Sequence, residues 1–200
     1  MDKPLNGLVL AGGRSTRMGT SKARINWHGK EQQYYLADLM KICCKDVFIS
    51  CREDQAASIH PDYCPLPDQL ESAGPVEAIL SAFQKYADCA WLVIACDVPL
   101  MDLQTLQYLK KERDQTKIAT VFENPEDGLP EPLTAIWEAE SYNLLKIYHQ
   151  KEHISLRKIL LQHEAKIIKA STTDALMNAN TPEDAKRIKE ILERNASFKR

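Results

Sequence analysis

Short apolar runs alternate with amphipathic helical patterns along the chain, and this alternation constrains the fold more than any other feature. Five runs are short and apolar or β-branched, as buried strands are, at 7–10, 47–50, 91–96, 118–122 and 133–137. Segments between them follow the i, i+3, i+4, i+7 spacing of helices, at 36–43, 76–83 and 156–163. Strands that alternate with helices predict a mostly parallel sheet covered on both faces, which is a three-layer α/β fold.

Polar residues mark where two further helices begin. Asp102 precedes the apolar Leu103, and Thr181 stands before Pro182 as an N-cap before a first-turn proline. A chain of 200 residues commonly folds as one domain, and no repeat, low-complexity tract or linker divides this one. We therefore predict a single domain over 1–200, with a tail that frays from about residue 195.

Composition and charge exclude several classes of function. The formal net charge of −2 provides no general basic surface for nucleic acid or a membrane. No signal peptide opens the chain, and no apolar run approaches the roughly 18 residues of a transmembrane helix. The six cysteines form no C-x-x-C pair and have no histidine at zinc spacing, so we expect reduced thiols. These observations predict a cytoplasmic protein.

A glycine-rich basic loop, LAGGRSTRMGTSK, occupies 10–22, directly after the first predicted strand. In an open α/β sheet, ligands bind beyond the carboxyl ends of the strands. Gly12 and Gly13 lack a Cβ, so the backbone can approach a ligand closely, while Arg17 and Lys22 supply positive charge. The spacing matches neither the Walker A loop nor G-x-G-x-x-G. The loop predicts a nucleotide site, and its alternative is a turn with solvated arginines.

One acidic residue stands at the end of a predicted strand. In WLVIACDVPLMD the apolar run leads to Asp97, and Pro99 stops the strand. Magnesium in proteins takes one or two carboxylates and completes its shell with water and substrate phosphates. Asp97 is therefore the candidate ligand for Mg²⁺, with a turn cap as the alternative.

Four motifs, in this order, resemble the molybdenum cofactor guanylyltransferases, the MobA family: LAGGRSTRMGTSK, CDVPLMD, DGLPEPL and NANTPEDAKRI. The resemblance extends from residue 8 to about residue 192. The first motif occurs in looser form in many nucleotidyltransferases, whereas the last two are narrower. The resemblance implies a Rossmann-like nucleotidyltransferase fold with a mostly parallel central sheet. It also implies transfer of GMP from GTP to the terminal phosphate of molybdopterin, with release of pyrophosphate.

The resemblance further implies roles for individual residues. Arg17 and Lys22 would meet the phosphates, and Asp97 would bind Mg²⁺; these three make up the predicted catalytic set. The residues that would contact the nucleotide are Leu10, Ala11, Gly12, Gly13, Ser50 and Asp68. For Asp68, a simple turn residue is the alternative.

The later motifs supply candidates for the second substrate. Asn178 and Asn180 would support the metal or a pterin phosphate, with helix capping as the alternative. Pro130 and Pro132 fix an extended segment that would form one wall of a substrate site. Glu131, between the two prolines, is the charged residue of this segment. Rigidity alone explains these prolines equally well. The same reaction would bring transient contact with proteins that donate or accept the molybdenum cofactor, and no contact with nucleic acid.

The chain departs from the first family motif at Ser21, where the family usually carries an aspartate before the lysine. A carboxylate that could steer Lys22 or a metal is therefore missing. Two alternatives remain open. One is a cytidylyltransferase acting on the same cofactor, or a sugar-phosphate nucleotidyltransferase, although relatives that use CTP tend to read L-A-A-G where this chain has Gly12. The other is a nucleotide-binding module that has lost turnover.

Overall fold

The computed structural model describes residues 3–12, 21–69, 74–151 and 155–197. Seven strands in these ranges form one sheet. They are β1 (Leu5–Leu10), β2 (Val47–Cys51), β3 (Cys64–Pro67), β4 (Ala90–Ala95), β5 (Ala119–Glu123), β6 (Pro130–Trp137) and β7 (Lys166–Ile168). Their order across the sheet is β3-β2-β1-β4-β6-β5-β7.

Helices cover both faces of this sheet. They are α1 (Gln32–Cys43), α2 (Glu53–Ala56), α3 (Pro75–Lys85), α4 (Leu103–Lys111), α5 (Ser141–His149), α6 (Leu156–Gln162) and α7 (Pro182–Ser197). Short 3-10 turns add Lys22–Arg24 and Asp174–Leu176. Residues of α1 and α4 bury one face together with Val9 of β1, whereas residues of α3, α5 and α6 bury the other with Leu8. The predicted three-layer α/β architecture is confirmed.

Strand β6 departs from the parallel arrangement. Among the strands that the structure describes, it alone runs antiparallel to both of its neighbours, β4 and β5. Ile94 near the end of β4 is paired with Thr134, and Glu123 at the end of β5 with Pro130. The beginning of β6 therefore lies at the same edge of the sheet as the carboxyl ends of the parallel strands. This direction brings the DGLPEPL motif to the edge where ligands bind in open α/β sheets.

All five predicted strands are present, whereas β3 and β7 were not predicted. β3 reads Cys-Pro-Leu-Pro, and its two prolines argue against a strand in the middle of a sheet. It is tolerated because it lies at the sheet edge, next to β2. β7 contains three residues, too few to show an alternating pattern.

The predicted helix starts are confirmed by their caps. Asp102 Oδ1 accepts a hydrogen bond from Thr105 N at 2.7 Å, and Thr181 Oγ1 accepts one from Asp184 N at 3.1 Å. Helix α7 continues to Ser197, so it includes the first part of the tail for which fraying was expected. In the described ranges, no helix is both long enough and apolar enough to cross a membrane. The six cysteines are free thiols.

Candidate active site

A cavity of about 210 Å³ opens at the carboxyl edge of the sheet. Leu10, Ser50 and Ala95 stand side by side there, because β1 pairs in register with β2 on one side and with β4 on the other. The predicted site residues that line the cavity are Leu10, Ala11, Gly12, Lys22, Ser50, Asp68 and Asp97. Ser21, the departure from the family motif, also lines it. Gly13 and Arg17 lie outside the described residues.

Three side chains from distant parts of the sequence meet beside this cavity. Lys22 begins the first 3-10 turn, Asp97 lies two residues beyond β4, and Asn180 precedes α7. Lys22 Nζ lies 3.8 Å from Asp97 Oδ2 and donates a hydrogen bond to Asn180 Oδ1. The backbone carbonyl of Asp97 accepts a hydrogen bond from Ala179 N at 2.7 Å. The amide oxygen of Asn180 therefore faces Lys22. The side chain that caps the amino end of α7 is Thr181.

Burial dominates the electrostatics of Asp97. It raises the pKa of the Asp97 carboxyl, and the nearby Lys22 ammonium opposes this shift only in part. The Asp97 side chain is 29 % exposed, so one side remains open to a ligand. A partly buried carboxylate with incomplete charge compensation favours the arrival of another cation.

The donor atoms around Asp97 fit magnesium. Asp97 offers carboxylate oxygens and Asn180 an amide oxygen, and oxygen donors are the ligands that Mg²⁺ prefers. The described residues contain no cluster of three or more His, Cys, Asp and Glu side chains that could enclose a metal. A metal held by Asp97 would complete its shell with water and substrate phosphates, which is the usual arrangement for Mg²⁺.

Asp68 also lines the cavity, directly after β3, and is held by two hydrogen bonds. Ser50 Oγ donates to Asp68 Oδ1 at 2.7 Å, and Asp68 N donates to Cys51 O at 2.8 Å. Burial raises the pKa of the Asp68 carboxyl, while the Ser50 hydroxyl lowers it. A Cβ atom on Gly12 would lie 3.1 Å from Asp68 Oδ2. The absence of a side chain at Gly12 therefore lets the backbone and this carboxylate approach closely.

A larger groove of about 1080 Å³ adjoins the cavity and shares Gly74, Pro75 and Leu133 with it. Glu131, a predicted substrate contact, lines this groove. Pro130 does not line it: the residue is buried, and its carbonyl accepts a hydrogen bond from Arg157 Nε at 3.0 Å. Asn178 is partly buried and is not among the lining residues of either cavity.

Arg157 and His149 line the groove but were not recognised in the sequence. Arg157 Nη1 donates to Asp127 Oδ2 at 2.7 Å, and Arg157 Nη2 lies 3.6 Å from Glu131 Oε2. His149 Nε2 lies 3.5 Å from Glu77 Oε1. Both residues belong to helices, α6 and α5, whose packing against the sheet no local motif reveals. Their positions follow from tertiary structure.

Comparisons with known proteins identify the family of the chain. Residues 7–167 match the sequence model of the MobA-like NTP transferase domain. A molybdenum cofactor biosynthesis bifunctional protein of Synechocystis is 36% identical over 185 residues, which cover 90% of this chain and 52% of that protein. The chain therefore spans about half the length of that relative. A molybdenum cofactor guanylyltransferase of Pseudomonas putida is 27% identical over 184 residues, which cover 90% of this chain and 95% of the relative.

Solved structures show the same fold. Molybdopterin-guanine dinucleotide biosynthesis protein A from Archaeoglobus fulgidus superposes with a TM-score of 0.78 at 22% identity, covering 94% of this chain and 99% of that one. A nucleotidyl transferase from Methanothermobacter superposes with a TM-score of 0.74 at 15% identity, covering 96% and 99%. The predicted nucleotidyltransferase fold is confirmed. The chain is a nucleotidyltransferase and belongs to the MobA-like NTP transferase family.

Proposed function

We propose that the protein transfers GMP from GTP to the terminal phosphate of molybdopterin and releases pyrophosphate. The observation that carries the proposal is the 3.8 Å separation of the Lys22 amine and the Asp97 carboxylate beside a cavity at the carboxyl edge of the sheet. Relatives named molybdenum cofactor guanylyltransferase support this choice of substrates. A cytoplasmic location and transient contact with proteins that donate or accept the cofactor belong to the same proposal.

The reaction requires no protein nucleophile. An oxygen of the molybdopterin phosphate attacks the α-phosphorus of GTP, the bond to the α–β bridging oxygen breaks, and pyrophosphate leaves with that electron pair. Such transfers depend mainly on positioning and on neutralising charge. Lys22 brings a positive charge to the phosphates, and Asp97 and Asn180 would hold Mg²⁺. Magnesium, when bound, supplies a Lewis acid that withdraws charge from phosphate oxygens.

The adjoining groove is our proposed site for molybdopterin. It shares Gly74 and Pro75, at the amino end of α3, with the nucleotide cavity, so the two substrates would lie side by side. A helix amino end favours phosphate through its free N–H groups and dipole. Glu131 and Arg157 then offer one charge of each sign to the polar edges of the pterin.

Gly12 supports GTP as the nucleotide. A side chain there would crowd the Asp68 carboxylate, because even a Cβ would come within 3.1 Å of Asp68 Oδ2. The position therefore controls how much room a base has beside Asp68. One added methyl group in a close-fitting pocket changes discrimination by about 10–200-fold.

Pyrophosphate release tests the proposal. The purified chain is incubated with Mg²⁺, molybdopterin and either GTP or CTP, and each reaction is repeated without molybdopterin. We expect release with GTP that depends on molybdopterin, and we expect Gly12→Ala to lower kcat/KM for GTP about tenfold or more. Faster release with CTP would indicate a cytidylyltransferase. Tight GTP binding without any release would indicate a module that has lost turnover.

A further inference from the structure

The loop that follows Asp97 is fixed by side chains that do not line the nucleotide cavity. Three donors from one short segment of the chain reach three carbonyl oxygens of this loop. The bonds run from Gln32 Nε2 to Val98 O at 3.2 Å, from His28 Nε2 to Pro99 O at 2.7 Å and from the Tyr35 hydroxyl to Met101 O at 3.1 Å. We call these three side chains the loop clamp. With the bond from Ala179 N to Asp97 O, hydrogen bonds from two distant parts of the sequence hold the loop.

His28 makes the shortest of these bonds. A carbonyl oxygen only accepts, so Nε2 of His28 must carry the proton. The imidazole also stacks on the Tyr35 ring, with centroids 3.7 Å apart and planes inclined by 13°. The stacked pair therefore presents two donors to the loop as one rigid unit.

The segment that carries His28 also carries Lys22. After the 3-10 turn at Lys22–Arg24, the chain forms a small hairpin closed by the bridge between Asn26 and Glu31, and α1 begins at Gln32. Gln32 N donates to Ile25 O at 2.9 Å, which closes the base of the hairpin. A hydrogen bond from His28 to Pro99 therefore joins the segment of Lys22 to the loop of Asp97.

We propose that His28 is a positioning residue for nucleotidyl transfer. Its bond to the Pro99 carbonyl fixes the distance between the Lys22 amine and the Asp97 carboxylate, and Gln32 and Tyr35 support the same loop. This inference rests on the proposed function of the site. A small displacement of the charged groups lowers the rate of such a reaction strongly, because catalysis depends on their fixed positions.

Three variants test the role of His28. His28→Phe keeps a ring that can stack on Tyr35 but removes the donor, whereas His28→Gln returns an N–H near the position of Nε2. Tyr34→Phe is the matched control: Tyr34 lies on α1 next to Tyr35 of the loop clamp, but its hydroxyl accepts from His60 N at 2.9 Å and not from the Asp97 loop. Loss of one neutral hydrogen bond changes an equilibrium by about three- to tenfold.

Two readouts separate positioning from folding. The first is the split between kcat and the KM for GTP in pyrophosphate release. The second is the Mn²⁺ dissociation constant, measured by electron paramagnetic resonance with GTP present and molybdopterin omitted. For His28→Phe we expect kcat to fall about three- to tenfold at nearly constant GTP KM, and Mn²⁺ binding to weaken about threefold or more. His28→Gln should recover most of both, and Tyr34→Phe should change neither.

Equal values for His28→Phe and Tyr34→Phe would overturn the inference, as would His28→Gln behaving like His28→Phe. The failure of the proposed function is distinguishable from this outcome. If the wild-type chain transfers no GMP, the proposed reaction is wrong, whereas the Mn²⁺ measurement still reports whether His28 positions Asp97.

Discussion

Asp97 and Asp68 carry negative charge in surroundings that disfavour it. Burial raises the pKa of both carboxyls. A carboxyl whose pKa is higher in the folded state than in the unfolded state binds more protons when folded. Its contribution to stability is therefore fully present below the unfolded value of about 3.9 and is lost as pH rises through the folded pKa. At neutral pH both carboxylates destabilise the fold, and this charge is available to bind a cation.

Replacing Asp97 by asparagine separates activity from stability. Asp97→Asn removes the charge that would hold Mg²⁺, so we expect pyrophosphate release to fall about a hundredfold or more. The buried charge also disappears, so the melting temperature at pH 8 should equal or exceed that of the wild type. This advantage should shrink as the pH falls through the raised pKa of the Asp97 carboxyl, because the wild-type side chain then becomes protonated.

Differential scanning fluorimetry across this pH range and a turnover assay check both expectations. Asp62→Asn is the control, since the side chain of Asp62 is 78% exposed and lies far from β4 in the sequence. It should alter neither quantity. A marked fall in melting temperature for Asp97→Asn at pH 8 would contradict the electrostatic account.

Lys22 is expected to act on both binding and turnover. Lys22→Met keeps the length of the side chain but removes its charge, so kcat should fall about a hundredfold and the KM for GTP should rise. Lys30→Met is a suitable control, because Lys30 lies in the same segment and pairs with Asp38 on the surface at 2.6 Å. Exposed pairs of this kind contribute little to stability, because water and salt screen them. Steady-state kinetics for GTP that are the same in both variants would show that Lys22 does not meet the phosphates.

At the scale of elements, the direction of β6 determines where the groove forms. Because β6 runs against its neighbours, its first residues lie beside the ends of β4 and β5. Arg157 of α6 then attaches to this beginning through Pro130 O at 3.0 Å and Asp127 Oδ2 at 2.7 Å. These two bonds from α6 thus hold the beginning of β6 in place beside the groove.

Removing Arg157 should affect one substrate more than the other. Arg157→Ala removes two charge-assisted hydrogen bonds, to Pro130 and Asp127 beside the groove, and one positive charge in the groove, so the KM for molybdopterin should rise about tenfold or more. The KM for GTP should remain within about twofold, since Arg157 does not line the nucleotide cavity. Lys158→Ala tests the neighbouring exposed position on the same helix and should change neither value. A larger effect on GTP than on molybdopterin would assign the groove to another role.

Strands and helices could be predicted when their own residues determine them, and could not be predicted when pairing with distant strands determines them. Strand β4 is apolar throughout and β1 ends in the apolar run Leu8–Leu10, while Asp102 and Thr181 cap helices with their own side chains. The prolines of β3 are tolerated only because the strand lies at the edge of the sheet, where it pairs with β2 alone. The antiparallel direction of β6 depends on pairing with residues that are distant in the sequence. Such pairings leave no periodic signal in a single chain.

For the whole molecule, the site depends on contacts between residues that are distant in sequence. The sequence was sufficient to name candidate residues such as Asp97, because a carboxylate after a strand has physical meaning wherever it occurs, and their roles stay predictions. It predicted Asn180 through a motif, and the contact of its side chain with Lys22 emerges only from the fold. Arg157 and the loop clamp could not be found, because no spacing rule marks a lone arginine or glutamine on a helix or a lone histidine in a hairpin.

Nucleotide binding should stabilise the whole fold. Saturation with GTP at about a hundred times its Kd adds roughly 2.7 kcal/mol, which raises the melting temperature of a chain of this size by about 5–10 °C. We expect a smaller shift with CTP at the same concentration and Mg²⁺. Thermal shift measurements on the wild type and on Gly12→Ala check this without any catalysis. Equal shifts with the two nucleotides would contradict the proposed base preference.

The meeting of Lys22 with Asn180 also has a consequence for synthesis on the ribosome. A nascent polypeptide that has emerged as far as Ile168 already contains every described strand, yet it still lacks the amide oxygen that receives the Lys22 ammonium. It lacks equally the Ala179 amide that supports Asp97. During translation, all the strands are therefore synthesised before the residues that complete the surroundings of Lys22 and Asp97. A chain interrupted at that point could form its sheet and still lack a complete candidate active site.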